Sequence, residues 1–200
     1  MSCKTSNVTS ALNTTKNNVA VSIDLVNVID DKVKVTITNP TITTETTTFN
    51  IPKIVPGTYS EDNYGRFVDN VKAFDAKGNS LKIAKMDENS YTIYNATKLA
   101  KVTYNVSDTY DTEGGAGFGE SEDIFSPAGT NIKAGENFML NTHGFVGYFE
   151  GKSEIPYTVE VKHPATLWGA TSLVDTKPSN EIDVFNTSGY GELVDHPMMY

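Results

Sequence analysis

VAVSIDLVNVIDDKVKVTIT, residues 19–38, is the stretch of sequence that decides the fold. Apolar and polar side chains alternate on both sides of Asp30-Asp31, and this period of two is typical of a half-buried β-strand. The Asp pair lies where a tight turn would connect the two halves. The sequence therefore predicts an antiparallel hairpin, whose buried face carries Val19, Val21, Ile23, Leu25, Val33, Val35 and Ile37.

The same alternation recurs along the chain after this hairpin. A Thr-rich run ending in TTTFNIP predicts a third strand that stops at Pro52 and Pro56, since proline cannot donate to a sheet ladder. KAFDAKGNSLKIAKM predicts a second hairpin across Lys77-Gly78-Asn79, and SYTIYN and AKVTYNVS predict two more strands. The inward side chains of those two strands are expected to be Tyr91, Ile93, Val102, Tyr104 and Val106.

Strand patterns continue in NFMLNTHGFVGYFEG, IPYTVEVKHP and EIDVFNT. Helical spacing occurs in SEDNYGRFVDNV, so one or two turns of helix are expected there. Short strands separated by turn residues argue for an all-β fold. We predict a two-layer antiparallel β-sandwich with at most one or two short helical turns.

The amino-terminal stretch MSCKTSNVTSALNTTKNN is mostly polar, and it cannot bury enough apolar surface to offset the entropy of ordering. We therefore predict a flexible leader over residues 1–18 and one β-sandwich domain over residues 19–200. Cys3 has two interpretations, a stray thiol or the acylated first residue of a bacterial lipoprotein whose signal peptide has been removed. The second predicts a secreted protein in the periplasm or at the cell surface, lipid-anchored through Cys3.

Composition argues against several classes of protein. One cysteine excludes a disulfide framework and a cysteine-based zinc module, and the histidines at 143, 163 and 196 match no metal-ligand spacing. A net charge of -9 with Arg66 as the one arginine argues against a nucleic-acid partner. The sequence has no run of about 18 apolar residues, so it predicts no transmembrane segment.

Motifs of self-contained catalysis are missing from the sequence, which has no H-E-x-x-H, G-x-S-x-G or phosphate-binding loop. The acidic stretch DTYDTEGGAGFGESED, residues 108–123, is either a calcium loop or a solvated loop. Its acids do not fit the positions of the twelve-residue calcium loop, which favours the solvated loop. Glu120 and Glu122 lack the apolar wall that would separate their pKa values for glycosidase chemistry.

A series of motifs, in order along the chain, resembles one protein family. A turn with Pro52, Pro56, Gly57 and Tyr59 precedes an apolar-x-Ala-x-Asp-x-x-Gly pattern, and MLNTHGFVGYFEG, P-x-x-x-W-G-x-x-T-S-L and Y-G-E-L-V-D-H-P follow. Together they resemble the amino-terminal β domain of the glycyl aminopeptidase family of zinc metallopeptidases, bacterial enzymes that commonly carry a PDZ domain. The further positions of the resemblance are Val71, Ala73, Asp75, Gly78, Tyr91, Ile93, Val102, Tyr104, Val106, Asp108, Pro164, Trp168, Leu173, Tyr190, Leu193, Asp195 and Pro197.

The resemblance implies that catalysis lies outside this chain. In that family a separate, mostly helical domain carries H-E-x-x-H and a downstream glutamate, which hold zinc and activate water for attack on the peptide carbonyl. It implies a catalytic domain downstream in the same polypeptide as the partner, a peptide as the substrate, and zinc as a cofactor of that other domain. The 200-residue chain would then be inactive alone, with no catalytic residue, metal ligand or cofactor of its own.

The resemblance also suggests where this chain would meet a substrate. In related aminopeptidases such a β domain closes one side of the substrate cleft. The segment Asn141–Tyr148 is the candidate for that side because it joins two late strands. Its candidate cleft residues are Asn141, His143, Phe145 and Tyr148.

Other residues of the motifs have structural interpretations. Pro56-Gly57 suits a type II turn, in which proline fixes one φ and glycine supplies the positive φ after it. Tyr59 and Trp168 are expected to be aromatic core or corner residues. Asp195 is expected to cap or to fix the linker to the next domain. Arg66 is either a substrate-carboxylate ligand or, as we expect, an exposed or structurally paired guanidinium.

The last residues of the chain are apolar, which predicts a partner downstream. We expect the side chains among Tyr190, Leu193, Met198, Met199 and Tyr200 to leave apolar surface in water when no second domain covers them.

Two hypotheses of other classes stay open. A freestanding surface module that binds glycan or protein predicts an exposed aromatic platform among Tyr91, Tyr94, Tyr104 and Tyr110. A small complete hydrolase that uses the acidic loop predicts activity in the purified chain.

Overall fold

A computed structural model describes residues 18–38, 41–55, 61–110, 124 and 126–200. Strands dominate, as the sequence predicts, and two short α-helices, α1 (Thr142–Phe145) and α2 (Tyr190–Val194), occur among the described residues. The strands are β1 (Val19–Ile29), β2 (Lys32–Thr38), β3 (Thr46–Asn50), β4 (Val68–Asp75), β5 (Ser80–Leu81), β6 (Ile83–Lys85), β7 (Ser90–Tyr94), β8 (Leu99–Ser107), β9 (Asn131–Lys133), β10 (Asn137–Leu140), β11 (Tyr148–Phe149), β12 (Tyr157–Lys162), β13 (Ile182–Thr187) and β14 (Met198–Met199).

The predicted hairpin of residues 19–38 lies near the middle of a seven-stranded sheet with the order β13-β12-β1-β2-β8-β4-β5. Its register pairs Val21 with Ile37 and Ile23 with Val35, and these side chains are fully buried. Asp30 and Asp31 both adopt φ of 52°, the left-handed conformation that a two-residue turn between twisted strands requires. The hairpin prediction is confirmed.

The β1 strand has β12 as its other neighbour, and these two strands run parallel. Val19 lies opposite Tyr157 and Val21 opposite Val159, and all four side chains are buried. Most of the alternate side chains of both strands are more exposed, so this parallel pair is fully covered on its core face only. The sandwich is therefore antiparallel except at this pair among the described strands.

Two smaller sheets form the second layer. One has the order β11-β3-β7-β6 and the other the order β14-β10-β9. Phe49 of β3 packs on Phe149 of β11, with ring centroids 5.3 Å apart, and on Tyr104 of the large sheet at 5.7 Å. These aromatic contacts join the layers, and the core lies between them. The all-β sandwich prediction is confirmed.

The helical turn expected near Tyr64 is a short 3-10 helix, Tyr64–Phe67. Gly65 within it has no room for a side chain, because a Cβ would lie 2.1 Å from the Glu88 carbonyl oxygen. The Gly65 amide instead donates to the Asn89 side-chain oxygen at 2.9 Å. Gly65, a residue type that disfavours a helix, thus permits the close approach of the Glu88 backbone.

The expectation for the carboxyl-terminal side chains is wrong for most of them. Tyr190, Leu193, Met198 and Tyr200 are at most 8% exposed, and only Met199 of the five, at 55%, faces solvent. The reason is that β14 pairs antiparallel with β10 and inserts Met198 into this domain's own core. The side chains alternate along this short strand as they do in the longer ones.

Trp168 also differs from its prediction as a core or corner residue, since 87% of it is exposed. It lies in the connection between β12 and β13, where no other part of the described chain covers most of the ring. Tyr59, Pro56 and Gly57, like the predicted leader up to residue 17 and the acidic stretch from residue 111 to residue 123, lie outside the described residues.

Candidate functional site

The segment predicted to border the cleft, Asn141–Tyr148, forms α1 and the start of β11. The Asn141 amide donates to the carbonyl oxygens of Pro127, at 3.1 Å, and Gly129. The Thr142 hydroxyl donates to the Leu193 carbonyl oxygen at 2.8 Å. Asn141 and Thr142 are both buried, so their polar groups hold neighbouring loops together rather than pointing into solvent.

His143 is 5% exposed and packs edge-on against Tyr64, with ring centroids 4.7 Å apart. Its Nε2 lies 3.1 Å from the Ala128 carbonyl oxygen. A carbonyl only accepts, so Nε2 carries the proton of the neutral ring. Burial lowers the pKa of His143. This effect is larger than those of the hydrogen bond to Ala128 and of the nearby Asp62 carboxylate, which both raise the pKa. The folded domain thus favours the neutral histidine.

Acidification is expected to destabilise the domain through His143. In the unfolded chain the ring titrates near 6.5. Because the pKa of His143 is lower in the folded state, the unfolded state binds more protons as the pH falls below 6.5. The contribution of the neutral ring to the free energy of unfolding is therefore fully present above pH 6.5. It is lost as the pH falls from 6.5 through the folded-state pKa. One such group adds a slope of at most about 1.4 kcal/mol per pH unit. Urea unfolding between pH 5 and pH 8 should show a flatter dependence for His143→Gln, and parallel curves would contradict this.

Two tyrosine hydroxyls fix the backbone of the same segment. The Tyr104 hydroxyl donates to the Phe145 carbonyl oxygen at 2.7 Å and accepts the Gly147 amide at 3.1 Å. The Tyr190 hydroxyl donates to the Val146 carbonyl oxygen. Burial raises the pKa of both hydroxyls well above the usual range, so they remain donors.

The four candidate cleft residues therefore share one segment but differ in access. Asn141, His143 and Phe145 are at most 7% exposed. Tyr148 is half-buried and packs on Tyr190 at 4.8 Å between ring centroids. Of the four, Tyr148 alone keeps a substantial accessible surface on this domain.

The remaining candidates come from other parts of the chain. Asp195 is exposed and ends α2, and its backbone amide bonds to Gly191. Arg66 is half-buried with its guanidinium 4.7 Å from the centre of the Phe67 ring. Tyr91 and Tyr104, at 6% and 1% exposed, cannot belong to an exposed aromatic platform, so that expectation of the freestanding-module hypothesis is wrong for them. Asp108 is buried, and its carboxylate accepts the backbone amides of Tyr110 and Ile132.

A surface cavity of about 520 Å³, lined by the connection from β12 to β13 and by Asp183 and Phe185 of β13, was not predicted from the sequence. His163 and Asp183 line it, and the exposed Trp168 lies at its side. The Tyr200 hydroxyl donates to Asp183 Oδ2 at 2.9 Å, and the Tyr200 ring stacks on His163 at 5.0 Å. All lining residues lie between His163 and Phe185, but the contacts of Tyr200 with His163 and Asp183 cannot be predicted from that stretch alone.

Metal-binding chemistry has no support in the described part of the chain. No group of three or more His, Cys, Asp or Glu side chains that could hold a metal ion occurs among those residues. Zinc therefore does not fit the described side chains. The described helices include none that is long and apolar enough to cross a membrane.

Comparisons with solved structures define the class of fold. An aminopeptidase N family protein from Idiomarina loihiensis superimposes with a TM-score of 0.73 at 18% identity, over 90% of this chain and 29% of that protein. An M1 zinc metallopeptidase from Deinococcus radiodurans gives a TM-score of 0.46 at 11% identity, over 92% of this chain and 41% of that enzyme. This chain thus spans well under half the length of either protein. No curated protein matches.

The first of these similarities places the β-sandwich in the class of folds found within an aminopeptidase N family protein. The family model described as the peptidase M61 N-terminal domain matches residues 20–200. The chain belongs to the peptidase M61 N-terminal domain family.

Proposed function

We propose that this chain is the non-catalytic amino-terminal domain of a zinc-dependent aminopeptidase. The observation that carries the proposal is the family match over residues 20–200. The catalytic domain lies downstream in the same polypeptide and holds the zinc. Peptides are the substrates of the whole enzyme.

This domain packs against the catalytic domain and shapes one side of the substrate cleft. The segment Asn141–Tyr148 suits that role because hydrogen bonds from Tyr104 and Tyr190 fix its backbone. A wall of a cleft needs a fixed position more than it needs reactive groups. Tyr148 is the side chain of this segment that reaches the substrate.

The proposed domain organisation is a leader over residues 1–18 followed by the β-sandwich over residues 19–200. The leader tethers a bacterial enzyme to a membrane through an acylated Cys3, which keeps the enzyme in the periplasm or at the cell surface. The leader composition supports this part of the proposal. Mass spectrometry of the protein from its native membrane tests it, because an unmodified Cys3 thiol contradicts lipid anchoring.

The 200-residue chain is expected to bind no stoichiometric zinc and to release no amino-terminal glycine or alanine from peptides. The coding frame after Tyr200 is expected to encode H-E-x-x-H, and the complete polypeptide should hydrolyse glycyl and alanyl p-nitroanilides. Replacing the glutamate of that motif by alanine is the matched control, which should abolish turnover of the complete protein. Metal-dependent turnover by the 200-residue chain, or a frame without the motif, overturns the proposal.

The cleft role has its own test in the complete enzyme. Tyr148→Ala should raise KM or lower kcat/KM about tenfold if the ring contacts substrate. Val174→Ala is the control, because Val174 is 79% exposed and lies far along the chain from the segment. Equal kinetics for both variants would remove Asn141–Tyr148 from the cleft.

A further inference from the structure

The cavity beside β13 has no part in the proposed function, and its polar groups are incompletely paired. His163 Nδ1 lies 3.1 Å from the Pro164 carbonyl oxygen, which can only accept, so Nδ1 is the donor. The other ring nitrogen, Nε2, is buried, has no hydrogen-bond partner among the described residues, and lies 3.6 Å from Asp183 Oδ1.

His163 Nε2 and Asp183 Oδ1 therefore face each other at the floor of the cavity without a hydrogen bond between them. Asp183 uses Oδ2 to accept the Tyr200 hydroxyl, but Oδ1 accepts no hydrogen bond from the described residues. Asp183 lines the cavity, and its Oδ1 is not among the fully buried polar atoms without a partner, so Oδ1 is accessible from the cavity. A hydrogen-bond donor that enters the cavity therefore meets an unpaired carboxylate oxygen.

The charge around this floor is negative. Asp175 also lines the cavity, and its Oδ1 accepts the backbone amides of Lys177 and Val184. No described Lys or Arg side chain lies within 4 Å of either carboxylate. The chain as a whole carries a net charge of -9. A positively charged donor is favoured over a neutral one by this field.

Part of the cavity wall is apolar. Trp168, which is 87% exposed, lies there with Leu167, Leu173 and Phe185, whereas Thr171, Ser179 and Asn180 make other parts of the lining polar. An indole face attracts a cation, and it also packs against the methylene stem that carries the charged group of lysine or arginine. A long side chain with a cationic end matches this apolar part of the wall beside an acidic floor.

We propose that this cavity binds a basic side chain, Lys or Arg, presented by a protein partner. The cationic N–H groups donate to Asp183 Oδ1, and the stem lies along Trp168. The volume of about 520 Å³ falls within the range of pockets that hold small ligands and is ample for one such side chain. The site does not depend on catalysis, so its test is independent of the proposed enzyme.

Trp168 is the only tryptophan in the chain, so fluorescence reports directly on this cavity. Titration with N-acetyl-lysine amide and N-acetyl-arginine amide should change Trp168 emission saturably, with a dissociation constant of about 10 mM or lower. The neutral analogue N-acetyl-norleucine amide has a similar stem and should give no saturable change. High salt should weaken the binding of the cationic compounds.

Two variants locate the binding site. Asp183→Asn should weaken binding of the lysine compound at least about tenfold, whereas Glu181→Gln, which removes the same charge at an exposed residue outside the cavity, should not. Trp168→Ala should also weaken binding without altering the fold. Because this variant has no tryptophan fluorescence, its binding is measured from the NMR chemical shifts of the Gly169 and Ala170 amides. A wild-type protein that does not distinguish lysine from norleucine, or an Asp183→Asn variant that is folded and binds as tightly, would overturn the proposal.

Discussion

Replacing Tyr104 by phenylalanine is expected to lower the free energy of unfolding by about 3 kcal/mol, although the change removes a single oxygen atom. That oxygen donates to the Phe145 carbonyl and accepts the Gly147 amide, and both backbone groups are buried. Without it, a carbonyl and an amide remain in the core with no partner, and each such loss costs about 1–3 kcal/mol. Urea denaturation followed by circular dichroism would measure the difference.

Tyr94→Phe provides the matched control for this experiment. Tyr94 is half-buried on β7, and its hydroxyl receives no hydrogen bond from the described residues. The same chemical change there should alter the free energy of unfolding by less than about 0.5 kcal/mol. Equal losses for the two variants would mean that the Tyr104 hydroxyl does not hold the segment Asn141–Tyr148 in place.

The parts of the fold that local pattern predicted are its hairpins and strands. In residues 19–38 the alternation of apolar side chains and the turn at Asp30-Asp31 suffice to predict the hairpin, because both features depend on a few neighbouring residues. The inward sets of the two strands before and after Asn95 follow the same rule, and Tyr91, Ile93, Val102, Tyr104 and Val106 are all buried.

Long-range pairing could not be read from the sequence. Nothing within IPYTVEVKHP indicates that its strand lies parallel to β1, because that neighbour comes from more than a hundred residues earlier in the chain. Trp168 shows the opposite difficulty: an aromatic residue is usually covered, yet this one is exposed in the connection from β12 to β13. The cavity beside it forms where that connection folds against Asp183 and Phe185 of β13.

The candidate site shows the same division between local and distant information. The sequence places the four candidate cleft residues between two late strands, and the structure forms this segment as α1 and the start of β11. The sequence alone could not reveal that Asn141, His143 and Phe145 are buried, since their partners Ala128, Gly129 and Tyr104 come from other elements. Burial is a property of these contacts rather than of residue type.

The largest expected effect on stability concerns the carboxyl terminus, where Met198→Ser should lower the free energy of unfolding by about 3–5 kcal/mol. Met198 is fully buried beside Leu140, its partner in the pairing of β14 with β10. Serine would leave a cavity there and place a hydroxyl among apolar groups. Chemical unfolding monitored by Trp168 fluorescence and circular dichroism would detect the loss.

Met199→Ser is the ideal comparison because it changes the neighbouring residue in the same way. Met199 is 55% exposed, so its replacement should alter stability by less than about 1 kcal/mol and should reduce exposed apolar surface. The Met199 backbone still pairs with Ala170, and this pairing survives the substitution. Since adjacent residues of a strand face opposite sides, unequal losses mean that β14 belongs to the core of this domain. Equally small losses for both variants would mean instead that the terminus is only loosely attached, and the cavity that Tyr200 helps to build would lose its support.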